Sequence, residues 1–144
     1  MTQPISKSPL NPLQKALLAR LRGDATLAGL LGGASKVVDQ PPETGVKPYV
    51  RIGDHTSTDD SDLTSFGRNV VETFHIWTKA RSNGPGQDIA ARIVELLDRR
   101  PADLVVDGHR VVSIRCEFDQ ALTDPDPEIR HHVLRFRVVT AQLA

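Results

Sequence analysis

Several groups of residues carry side chains able to do chemistry. Asp54, Asp59, Asp60 and Asp62 set carboxylates at short spacing in one polar stretch, and hard cations such as calcium want several oxygens so placed. The spacing lacks the central glycine and closing glutamate of an EF-hand loop, so a solvated acidic loop is the expected reading. His131 and His132 are neighbours; on a strand they face opposite sides and cannot hold one metal together. His75 could meet His132 across a sheet, yet no Cys, Asp or Glu is spaced to complete a tetrahedral site, and structural histidines are expected. Ser, His and Asp are all present, but no Gly-x-Ser-x-Gly elbow exists. Cys116 lies on a predicted core face, where a thiol is inert. Gly84-Pro85-Gly86 precedes a helix as a phosphate cradle would, except that Pro85 removes an N–H and no Lys-Ser or Lys-Thr pair follows. The residues thus predict no catalytic centre, no metal site and no cofactor.

Function is then to be sought in surfaces. Arg110, Arg115, Arg130, Arg135 and Arg137 make the C-terminal third locally basic. They could grip nucleic-acid phosphates, pair with Glu117, Glu128 or the acids of an adjacent subunit, or stand on a solvated face with scattered ion pairs. Among the functional readings a subunit contact is favoured, because aromatic residues for base stacking are absent from that face. Lys plus Arg and Asp plus Glu number 18 each, so no global field draws the chain to nucleic acid or anionic membrane. With one cysteine no intrachain disulfide forms. The first residues, with early prolines, a single Lys and no apolar run, read as neither signal peptide nor membrane anchor.

The elements that must position these side chains follow from periodicity. At 144 residues one domain is expected over 1–144, with 1–11 a flexible N-terminus. Asn11-Pro12 reads as a helix start, followed by a stripe of Leu13, Ala16, Leu17 and Leu21 closed by Gly23. Asp24 can cap a second short helix carrying Leu27, Leu30 and Leu31, stopped by Gly32-Gly33. Val37-Val38 is a short strand, Pro41, Pro42 and Pro48 make a connector, and Tyr49 to Gly53 is a brief strand. Asp54 to Gly67 reads as a solvated loop, at about a dozen residues longer than most connections. Val70 to Lys79 is the longest central strand, with Val70, Phe74 and Ile76 on one side and Val71, Thr73, His75 and Trp77 on the other. Ile89, Ala90, Ile93, Leu96 and Leu97 mark a core-facing helix. Leu104 to Val106 and Arg110 to Phe118 are predicted arms of a hairpin about Asp107-Gly108. Gln120 to Glu128 is predicted as a second long polar loop. Arg130 to Thr140 then alternates, with Leu134, Phe136 and Val138 against Arg135 and Arg137, as a half-buried antiparallel strand does. The fold class is α+β, a mostly antiparallel sheet of about four to five strands with two or three helices on one face. Aromatic residues form only 4% of the chain, a thin core that favours completing burial by self-association.

The order of pieces resembles a known family. Asp24 to Gly33 (Asp-Ala-Thr-Leu-Ala-Gly-Leu-Leu-Gly-Gly), Pro48 to Gly53 (Pro-Tyr-Val-Arg-Ile-Gly), His75 to Arg81 (His-Ile-Trp-Thr-Lys-Ala-Arg) and His132 to Arg137 (His-Val-Leu-Arg-Phe-Arg) together look like the tail-completion, or tail-terminator, proteins of long-tailed bacteriophages, prophages and gene transfer agents. The resemblance implies a non-enzymatic virion structural protein without cofactor, a hexameric ring at the head-proximal end of the tail tube. Its implied partners are further copies of itself, the tube protein and a neck protein, a stopper or an adaptor, with DNA only passing through the lumen and no membrane involved. Another neck component, itself a stopper or head-tail adaptor ring, is the alternative. Expected interface residues are Asp54, Asp59, Asp60, Asp62, Arg115, Glu117, Asp124, Asp126, Arg135 and Arg137. The resemblance leaves open whether arginines line the lumen or the subunit contact.

Overall fold

The computed structural model describes residues 3–42 and 44–144. Helix α1 (Leu10–Arg22) buries Leu13, Ala16, Leu17 and Leu21 as the stripe predicts. It begins at Leu10, before the Asn11-Pro12 signal, and Ser8 Oγ accepts a 3.3 Å bond from the Leu10 N–H in place of an asparagine cap. Helix α2 (Ala25–Leu31) starts on Asp24, which accepts from the Leu27 N–H. It ends at Gly32, whose φ of 81° is the left-handed conformation a residue without Cβ takes at least cost. Leu30, expected on the core stripe, is exposed instead, because a helix this short turns only Leu27 and Leu31 inward.

Strands β1 (Val37–Val38), β2 (Tyr49–Asp59), β3 (Gly67–Lys79), β4 (His109–Thr123) and β5 (Ile129–Gln142) form one sheet in the order β1-β2-β3-β5-β4. The β1–β2 pairing is parallel and the others are antiparallel. Helix α3 (Gly84–Leu97) lies between β3 and β4 in sequence and buries Ile89, Ala90, Ile93, Leu96 and Leu97. All three helices join one core with Val70, Phe74, Ile76, Leu134, Phe136 and Val138 from one sheet face. The rings of Phe74 and Phe136 meet edge to face at 5.5 Å, the favoured aromatic geometry. Each large side chain so buried contributes roughly 1.5–3 kcal/mol.

Three sequence expectations are corrected. The segment 54–67 is no long loop: β2 continues through Asp59, and only residues 60–66 connect it to β3. His55, Thr56, Ser57 and Thr58 pair with Glu72, Val71, Val70 and Asn69 beyond a register shift between Ile52 and His55. The polarity that suggested a loop is that of an edge strand, and its threonines favour extended backbone. Likewise β4 runs through Thr123, leaving 124–128 as the connection in place of the long loop expected over 120–128. Third, 104–106 is not a hairpin arm. Gly108 makes the turn at φ 76° and Val106 bridges His109, but β4 takes β5 as its partner. The chain leaving α3 runs beside the outer edge of β4, where the Arg99 N–H donates to the Ile114 carbonyl at 2.8 Å and Asp98 accepts from the Cys116 N–H at 2.7 Å, and Pro101 then opens a short turn over 101–103.

Along 110–118 a period of two would set Val112, Ile114, Cys116 and Phe118 on one face against Ser113, Arg115 and Glu117, but two bulges interrupt β4, between Val111 and Ser113 and between Cys116 and Phe118. Val111 and Ile114 are buried while Val112 is exposed. Each bulge adds a residue and shifts the phase of the strand, so counting by twos places Ile114 and Cys116 rightly on the core side but misplaces Val112 and Phe118.

Candidate functional site

The helices cover one face of the sheet; the other carries the charged and aromatic side chains of β3, β4 and β5. The register sets Val71, Arg137 and Arg115 on one line across the strands, and Thr73, Arg135 and Phe118 on the next. Arg137 holds Glu117 by two bonds, at 2.8 and 3.2 Å, and Asn69 Oδ1 at 2.9 Å. The Glu117 carboxylate raises the Arg137 pKa further, fixing it as a cation. The Arg135 guanidinium sits 4.8 Å above the Phe118 ring, a cation–π contact. Trp77 stacks on His131 at 3.9 Å with the planes 8° apart. His131 in turn shares a 2.9 Å hydrogen bond with His75. This corrects two expectations: His75 meets His131, not His132, and aromatic rings are not absent from the face. Both follow from β3–β5 register, which places Trp77 opposite His131. Burial lowers the pKa of His75 and of His131, so the pair is held neutral.

The acidic residues fall at opposite ends of the sheet. Asp59, Asp60 and Asp62 stand at the tip of the β2–β3 hairpin, near the Gly67–Ala141 end, whereas Asp124 and Asp126 lie in the β4–β5 turn beside the Lys79–Ile129 end. Asp54 is on the β2 edge, 3.9 Å from His75 Nε2. Asp62 Oδ1 accepts from the Thr64 and Ser65 N–H groups at 2.8 and 2.7 Å and from both their hydroxyls. Asp59 accepts from the Ser61 hydroxyl at 2.6 Å and its N–H at 3.2 Å. These bonds hold both carboxyls below their ordinary range, with the Thr64 amide the main cause at Asp62 and the Ser61 hydroxyl at Asp59. In the other turn Asp124 accepts from the Asp126 N–H and Asp126 from the Glu128 N–H, each at 2.9 Å. Most of these carboxylates therefore fold their own turns, and among the described residues no group of His, Cys, Asp and Glu is placed to hold a metal ion.

Sequence reasoning missed the feature at the centre of the hairpin. Leu63, in the midst of Asp, Ser and Thr, is fully exposed at the tip, held out by the turn that Asp62 builds. A solitary large apolar residue in a polar connection was its signal. It also missed a shallow recess of about 380 Å³ beside β4, lined by Arg99, Pro101, Val112, Ser113, Ile114 and Arg115. Only the bulge brings Val112 to that surface. Gly86, read as punctuation, is buried where α3 meets the sheet, and a Cβ there would lie at ordinary contact distance, 3.6 Å from Thr78 and 3.8 Å from His132.

Comparison with known proteins now decides the family. The model of the family described as Tail completion protein gp17 matches residues 15–141. The chain belongs to the tail completion protein family. It is 31% identical over 125 residues to "Tail completion protein gp17" of Bacillus phage SPP1, covering 87% of this chain and 89% of that one. The fold matches a chain in a solved structure titled "Virion of native gene transfer agent (GTA) particle" with a TM-score of 0.84 and 28% identity, over 94% of this chain and 99% of the other. As a tail completion protein, the chain is a structural component of a phage or phage-like particle, and no enzymatic family is indicated.

Proposed function

We propose that copies of this chain close into a hexameric ring on the head-proximal end of the tail tube, stop its growth and join it to the neck. The observation that carries this reading is the family match across nearly the whole chain, 15–141, with a tail completion protein as a relative of similar length. The fold supports it physically. A ring needs two different patches on each subunit whose rotation closes, and the sheet offers two unlike edges. The outer side of β4 beyond Cys116 and that of β2 beyond Arg51 take part in no strand pairing among the described residues. Asp54, Asp59, Asp60 and Asp62 on the β2 side, and Arg115 and Glu117 on β4 with Arg135 and Arg137 beside them on β5, face neighbouring copies; Asp124 and Asp126, at the other end of the sheet, face the tube or the neck protein. DNA passes through the lumen, and no catalytic step enters the role.

Native mass measurement of the purified chain mixed with purified tube protein tests this. The expected result is a hexamer bound at tube ends, with tubes that no longer lengthen. Free monomer beside tubes that keep growing would overturn it.

A further inference from the structure

The acidic hairpin tip and the recess beside β4 have complementary shape and charge. Leu63 projects fully exposed from a turn whose form is fixed by the Asp62 and Asp59 bonds, with Asp60 beside it. A rigid apolar side chain ringed by carboxylates suits an apolar hollow with a basic rim. The recess has that composition: Pro101 and Val112 floor it, Val112 being 43% exposed, and Arg99 and Arg115 flank it. Among the described residues neither arginine is in an ion pair, whereas Arg20, Arg81, Arg92 and Arg137 all are. Arg99 also holds φ at 57°, the left-handed region that disfavours residues with a Cβ, while its N–H bonds Ile114. Such a conformation costs on the order of 1 kcal/mol or more, and it fixes the connector against this stretch of β4.

The two patches belong to opposite sides of the sheet. The hairpin joins β2 and β3; the recess is on β4, at the far edge. Ser113 shares a register line with Val139 and Asn69, two residues from Gly67 where the hairpin begins. Tip and recess therefore stand near the same end of the sheet, so a neighbour related by rotation alone can bring one to the other. We propose that Leu63 of one copy seats in the recess between Arg99 and Arg115 of the next, with Asp59, Asp60 and Asp62 against those arginines. This rests on the ring reading and names its contact.

The test uses particles assembled with a chain carrying Leu63→Cys, Val112→Cys and Cys116→Ser, oxidised and separated under denaturing conditions. The expected outcome is a ladder of covalently linked copies, absent when either new cysteine is present alone. In a second arm, Asp60→Lys and Arg115→Glu each lower the yield of completed particles at least tenfold, and together restore most of it. Particles that keep a ring but give no ladder, or in which Leu63→Cys links to the tube or neck protein, would overturn this contact and leave the ring standing. Particles without any ring would overturn both.

Discussion

Arg92 grips both carboxylate oxygens of Asp24, at 2.7 and 2.9 Å, while the same carboxylate caps α2 through the Leu27 N–H. The Arg92 bonds are the main cause that lowers the Asp24 pKa to about 2. A carboxyl depressed in the folded state adds stability above its unfolded pKa and loses it as the pH falls through the folded value. Wild type is expected to lose about 1–2 kcal/mol from this group between pH 4 and 2, and Asp24→Asn to remove that part of the acid dependence in chemical denaturation. Glu72 works in the opposite sense. It is wholly buried on the core face of β3, bonded to His55, with one oxygen lacking a partner. Burial raises its pKa, and its carboxylate raises that of His55. Both groups then favour the folded state at lower pH: the Glu72 part declines as pH rises past the ordinary carboxyl value and through its raised one, and the His55 part as pH rises past the ordinary histidine value and through its raised one. Glu72→Gln is expected to flatten the stability profile above the ordinary histidine value; an unchanged slope there would contradict the pairing. The Asp24 cap was legible, since an acid ahead of an apolar run has few other uses. Glu72 was not: it occupies an apolar-phase position, and its partner His55 sat in a stretch that polarity marked as loop.

At the scale of elements, periodicity found what burial imposes. α3, β3 and β5 have a continuous apolar face, and their sequence shows it. Truncation at the middle of that face, Phe136→Ala, is expected to cost about 3–5 kcal/mol in denaturant unfolding. The far ends of β2 and β4 escaped because edge strands face water, and residues there are chosen for solvent and partners rather than for the core. Bulges compounded this on β4, where one extra residue exchanges the faces. The hairpin itself depends on Gly67, since a Cβ there would come within 2.6 Å of the Asp60 carbonyl oxygen. Gly67→Val is therefore expected to open the tip. Hydrogen exchange should quicken at residues 58–69 while α3 stays protected, and unaltered exchange would show that the closure at Gly67 is unimportant.

For the whole molecule, composition excluded more than it identified. Balanced charge spoke against a nucleic-acid role, the lack of catalytic and metal-ligand spacing against an enzymatic one, and the order of weak motifs pointed to the family. The contact surfaces could not be read in the same way, because Leu63, Val112 and Arg99 become a knob and a socket only once strand register and the β4 bulge place them. Replacing residues 61–65 by a minimal turn removes the knob without touching the core. Such a chain is expected to keep the thermal stability of wild type and fail to complete tails, with particle counts as the readout. The central claim is that this protein ends the tail tube, and electron microscopy of particles produced without it tests that most directly. Over-long tubes unattached to heads are the expected result. Tails of normal length beside heads that leak DNA would contradict it and mark the chain as a stopper instead.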